Sequence, residues 1–242
     1  MIARTVSLRL VEEVSVRLAG ATELAIEEIV RRRSEAIKTS VEFERLRHLE
    51  MAPKDLARLI VYQRSRMAAM GGAVSALPGA FPGVGTAAEI GAGLADTAAL
   101  IYSEVALILA LAAAFDHDLE AHDVRSADVR IVLALGSGVA KFGKRGVELA
   151  DGEPLDPHAR TLSEDVNREL GAMVVKRTAR RRARTLLGRE IPFGVGVAIG
   201  AGANFRVMRH TGRTALRYYE FTAPVTWRNG DQRCGVDVFD SY

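Results

Sequence analysis

Glu89, Asp96 and Glu104 are the residues whose type and spacing come nearest to chemistry. On a helix of 3.6 residues per turn they fall within an arc of about 80°, in a stretch otherwise built from small and apolar residues. Carboxylates are costly to bury unless paired or hydrogen-bonded. One reading makes them a pocket for a cation, a proton or a polar ligand, completed by Asn204 from a later helix. The other makes them a structural polar pair, matched by an arginine of a neighbouring helix or simply exposed at a groove. Buried ion pairs are usually structural, which favours the second.

A second cluster is "DHDLEAHD" (116–123). Asp118 and His122 are four apart and suit one helix face, whereas His117 and His122 are five apart and do not. Zinc needs further ligands from elsewhere, and no His/Cys spacing supplies them, so the segment reads as a solvated loop between helices. Ser137 in "GSG" lacks the flanks of a nucleophile elbow. No arrangement of nucleophile and base stands out, and no metal or cofactor is expected.

The basic residues are more pointed. Arg177, Arg180, Arg181 and Arg184 recur at i, i+3, i+4 and i+7, with Val175, Ala179, Ala183 and Leu186 on the opposite side. Such a stripe suits anionic lipid headgroups, where each near-surface cation is worth about 1 kcal/mol. Nucleic acid is not expected as a partner, because there is no interleaved aromatic platform or binding motif. A plain solvated helix face is the alternative.

These residues need helices to carry them. The first segment is ambiguous between strand and helix, and a helix is firmer over 22–38, with Leu24, Ile26, Ile29 and Ile37 as its apolar residues. Pro53 suits a first helical turn, followed by an apolar stripe of Leu56, Leu59, Ile60 and Met67. Gly71, Gly72, Pro78, Pro82 and Gly83 break the pattern. A long helix is predicted over about 86–115, ended by "DHD", and another over 124 to about 142. "ADGEPLDPHA" (150–159) reads as a surface loop. Further helices are predicted over 162–187, stopping at Gly188, and from Pro192 to about Tyr219.

"FPGVGTAAEIGAG" (81–93) is echoed by "IPFGVGVAIGAG" (191–202). In each, proline stops one helix and restarts the next, and small residues line the new one. Pro82, Gly83, Gly85 and Gly91 in the first copy, and Pro192, Gly196 and Gly200 in the second, are therefore read as turn and helix-packing residues. The two helices are expected to pack closely on each other. A phosphate loop is disfavoured, since neither the lysine nor a preceding strand is present.

Residues 97–115 would span roughly 28 Å as a helix. Their strong hydrophobes favour insertion by about 2–5 kcal/mol, and a central Glu104 opposes it by about 3. A buried core helix is the preferred reading over a permanent span.

Composition fits a globular chain of 242 residues, 48% hydrophobic and only 6% aromatic. Lys plus Arg number 33 against 30 acids, so net charge by itself says little. A single cysteine, Cys234, excludes an internal disulfide framework. Arg9, Glu12 and Glu13 interrupt any secretory signal core, so a cytoplasmic location is expected.

At "LPGAFPGVGTAAE", "AAAFDHDL" (112–119), "IPFGVGVAIGAGANFRV" (191–207) and "TGRTALRYYEF" (211–221) the chain resembles the EcsC family. The resemblance covers about residues 56–221. It implies an all-helical domain without a settled activity, and membrane-linked work, because the founding member is encoded beside the subunits of an ABC transporter.

The expectation is an all-α protein, a single helical bundle domain with a close-packed Gly/Ala-rich central helix pair. An N-terminal helical extension would cover 1–52, the EcsC-like domain 53–222 and a tail 223–242. The expected function is peripheral association with the inner membrane surface or with a membrane protein such as ABC transporter subunits. The rivals are a hydrolase-like enzyme using the buried carboxylates, and a membrane-inserting effector.

Overall fold

The computed structural model describes residues 2–75, 86–143, 146–149, 152, 154–155 and 195–222, and their side chains at 23–71, 98–143, 146–149, 152, 155 and 200–222. These form a helical bundle: α1 (Ile2–Arg47), α2 (Pro53–Ser75), α3 (Thr86–Ala114), α4 (His122–Ser137) and α5 (Val195–Thr222). Between α4 and α5 lie three short antiparallel strands in the order β1-β2-β3, namely β1 (Ala140–Gly143), β2 (Gly146–Leu149) and β3 (Pro154–Leu155).

The most apolar helix is the axis of the bundle. α3 packs against α1, α2, α4 and α5, and every residue from Glu104 to Ala112 on it is buried. From Glu104 to Ala112 its apolar surface is therefore covered by protein, as expected of a core helix. Ile26, Val30, Ile37 and Val41 of α1 recur at helical spacing and join the same core, as do Leu56 and Ile60 of α2 and Met208, Ala215, Tyr218 and Tyr219 of α5. Arg45 near the end of α1 donates to the carbonyls of Ala113 and Ala114 at 3.1 and 3.0 Å. It thereby meets the last carbonyls of α3, which have no partner within their own helix.

α2 and α5 form an antiparallel pair whose register is fixed at three levels. Lys54 pairs with Glu220 at 3.2 Å, Val61 lies against Gly212, and Asn204 donates to the Ala68 carbonyl at 3.3 Å. The contact at Gly212 is close: a Cβ there would sit 2.6 Å from Val61 Cγ1. The predicted packing of α5 on α3 is present as well, but the glycine that the described side chains show at a close approach is Gly212, against α2.

Several expectations are corrected. α4 ends at Ser137 rather than near Phe142, because Gly138 adopts a left-handed φ of 80°. Gly138 and Val139 N–H groups then donate to the Leu135 and Ala134 carbonyls, closing the helix end. Phe142 belongs to β1 instead. α2 runs through Gly71 and Gly72 to Ser75, so these glycines do not break it. Met67 is 64% exposed although Leu56 and Ile60 of its predicted stripe are buried. Periodicity sets the direction of a side chain, not whether anything lies opposite it. Within "ADGEPLDPHA", Pro154 and Leu155 pair with β2 as a strand rather than looping freely.

Candidate functional site

Glu104 is wholly buried, and its Oε1 accepts the Thr211 hydroxyl at 2.6 Å. Asn204, also buried, donates to the Ala68 carbonyl. Thr211 and Asn204 are seven residues apart on α5, about two turns. The carboxylate therefore ties α3 to α5, while the amide ties α5 to α2. Both act as cross-helix braces. Glu89 and Asp96 lie on α3, but their side chains fall outside the described ones. Gly91 and Gly196 sit on α3 and α5 without described surroundings, and Gly200 is half-buried on α5. Pro82, Gly83, Gly85, Pro192 and the stripe Arg177, Arg180, Arg181 and Arg184 lie outside the described residues.

A second buried polar group was not anticipated from sequence. Arg125 pairs with Asp128 at 2.6 Å, one turn apart on α4 and almost out of solvent. Tyr218 donates its hydroxyl to Asp128 at 2.6 Å. The wholly buried Tyr219 stands beside Arg125, with the His117 ring 5.0 Å from its own. Burial raises both tyrosine pKa values, helped by the Asp128 carboxylate. Their protons stay in place, so Tyr218 is a permanent donor and not a base. Burial pushes the His117 imidazole down to about 4, with the Arg125 charge adding to it. The predicted solvated loop is thus anchored at His117, while Asp116, Asp118 and Glu120 remain exposed. Two charges three apart on an apolar helix were the available signal for Arg125 and Asp128. Ser137 donates to the Ala134 carbonyl and closes a helix end.

The exposed face of α5 is different in kind. Arg206, Arg209, Arg213 and Arg217 recur at i, i+3, i+7 and i+11, and all four are exposed. On ideal helices this stripe lies about 110° round α5 from Gly212, which meets α2, and Thr211 lies about 100° round the other way, toward α3. On α2, Arg58, Tyr62 and Arg66 are exposed about 100° from Val61, and the buried Leu56 and Ile60 lie on the opposite flank. For an antiparallel pair these rotations turn both stripes to the same side, away from α3. One face thus carries Arg58, Arg66, Arg206, Arg209, Arg213 and Arg217. The register puts Arg66 and Arg206 at one level.

Little negative charge offsets them. Asp55 pairs with Arg58 at 3.0 Å, and from there the sequence has no acid before Glu89. α5 has none before Glu220. Among the described residues no carboxylate pairs with the other five arginines. Three of these instead lie over rings: Arg66 over Tyr62 and Arg209 over Phe205, each at 5.7 Å, and Arg217 over Phe142 at 5.2 Å. The α5 periodicity is legible in the sequence, but reading residues 192–219 for small-residue packing passes over it.

Among the described residues no cluster of His, Cys, Asp or Glu could hold a metal ion, and no helix is long and apolar enough to cross a membrane. The chain matches no protein-family model, no curated protein and no solved structure.

Proposed function

We propose that this EcsC-like chain associates peripherally with an anionic membrane surface, through the joint face of α2 and α5. The observation that carries the reading is the stripe Arg206, Arg209, Arg213 and Arg217, exposed and, among the described residues, paired with no carboxylate; Glu220 at its end is paired with Lys54. Each such cation contributes about 1 kcal/mol near an anionic leaflet, so four suffice for reversible binding that salt weakens. The resemblance to a family linked to a membrane transporter agrees with this. The enzyme rival loses support because Glu104 is held by Thr211 between two helices. The inserting-effector rival requires α3 to leave four helical neighbours.

Co-sedimentation with vesicles of phosphatidylglycerol and phosphatidylcholine tests it. Wild type should bind at low salt and should not bind phosphatidylcholine alone. Replacing the four α5 arginines with glutamine should weaken binding by about tenfold or more. A wild type that ignores anionic vesicles, or a variant that binds them equally well, would overturn the proposal. Competition by duplex DNA that equals competition by vesicles would redirect it to nucleic acid.

A further inference from the structure

The two helices of this face are not alike. Over the length of the α5 stripe from Arg206 to Arg217 the exposed groups are arginines, and an apolar one, Phe221, follows only at its far end, whereas the α2 stripe alternates Arg58, Tyr62, Arg66 and Met70 at steps of four. Tyr62 is 49% exposed and Met70 67% exposed. A tyrosine between arginines also suits the stacking of a nucleic-acid base, but the exposed thioether of Met70 provides no such platform. Tyr62 and Met70 together suit an interface whose outer layer is charged and whose next layer is apolar. Tyrosine favours the headgroup level of a bilayer, and arginine stems can lie along apolar surface while their heads reach the phosphates. Arg66 over the Tyr62 ring already has this arrangement.

Resting on the membrane reading above, we infer that the α2 side of the face enters the glycerol and acyl boundary of the bilayer. Tyr62 is its apolar anchor, with Met70 at the outer margin of the face, while the α5 arginines stay among the phosphates. The charge pattern selects this face over the other apolar patch. Phe43, Leu46, Leu49 and Met51 are also exposed, but there Glu42, Glu44 and Glu50 offset Arg45 and Arg47. Those arginines already pair with Asp116 and Glu44, so that patch carries no positive excess to draw it to an anionic leaflet. Around Tyr62 and Met70 the nearest acids in sequence are Asp55 and Glu89. The arrangement therefore tilts the molecule on the membrane, with α2 deeper than α5.

Position-specific fluorescence tests this. The sole tryptophan, Trp227, is first replaced by phenylalanine. Tyr62→Trp and Met67→Trp are then compared on vesicles of phosphatidylglycerol and phosphatidylcholine with brominated acyl chains. Met67 is exposed but points about 140° round the helix from Tyr62, off the face, and serves as the reference. The tryptophan at 62 should shift blue and be quenched, and that at 67 should not. Tyr62→Ser with Met70→Ser should also lose the part of wild-type binding that survives about 1 M salt, where charge attraction is screened beyond about 3 Å. Binding by wild type with equal quenching at 62 and 67 would overturn this inference while leaving the membrane reading intact. No wild-type binding to anionic vesicles would overturn both.

Discussion

Thr211 on α5 donates its hydroxyl to the Glu104 carboxylate on α3 across 2.6 Å, where Glu104 has no contact with solvent. Thr211→Val keeps the shape and removes the donor. It should destabilise the fold by about 1–3 kcal/mol, since a buried acceptor then loses a partner. Thr211→Ser should recover most of that. Urea unfolding measures both, and a valine variant as stable as wild type would mean that the bond contributes nothing net.

Gly212 is the point where α5 presses on α2. A methyl group there meets Val61 Cγ1 at 2.6 Å and Cγ2 at 2.8 Å. Gly212→Ala should therefore cost about 1–3 kcal/mol, despite the better helix propensity of alanine. Val61→Ala in the same chain should return part of the loss by opening space. Gly71, with nothing near its missing Cβ, should instead gain about 0.5–1 kcal/mol as alanine. Thermal melts that rank these variants otherwise would refute the packing argument.

Removing one partner of the Arg125–Asp128 pair should be more damaging than removing any surface ion pair. Asp128→Asn leaves Arg125 buried without its counter-charge and weakens the acceptor of Tyr218. A loss of about 3–5 kcal/mol is expected. Glu28→Gln, which breaks exposed pairs to Arg31 and Arg32, should leave the urea midpoint nearly unchanged. Similar losses for both would contradict the burial of the α4 pair.

Stability should fall with acid through His117. Its imidazole titrates near 6.5 in the unfolded chain and near 4 in the fold, chiefly because of burial. Between those values the unfolded chain binds more protons, so acid favours unfolding. The full stability is present above about pH 6.5 and is lost as pH falls toward 4. Because the side chain is partly exposed, a change on the order of 1 kcal/mol is expected. The difference between His117→Gln and wild type, followed by urea midpoints from pH 7 to about 4, should carry this slope. A flat difference would show that the ring is solvated.

The bundle was largely legible because its axis is the most apolar run in the chain, bounded by "DHD", and because Pro53 opens α2 and Pro192 comes shortly before α5. The end of α4 was not. Val139 and Phe142 continue an apolar rhythm, and only the left-handed Gly138 shows that the helix has closed. The burial of Glu104 follows from its neighbours, but its partner is 107 residues away and depends on how α5 slides along α3. The basic face was legible only in pieces. Each stripe can be read on its own helix, but that Arg66 and Arg206 look the same way follows from antiparallel packing over α3, which no single periodicity contains.

Because α3 touches all the other described helices, the order of biosynthesis matters. α1 and α2 leave the ribosome before it and α4 follows at once, so three flanks can be covered early. α5 begins roughly 80 residues after α3 ends, a delay on the order of 4–16 s at about 5–20 residues per second. During that interval the nascent chain holds an apolar rod with one side open and a carboxylate still awaiting its threonine. A chain stopped before α5 offers that side to whatever it meets first, whether a chaperone or another copy of itself.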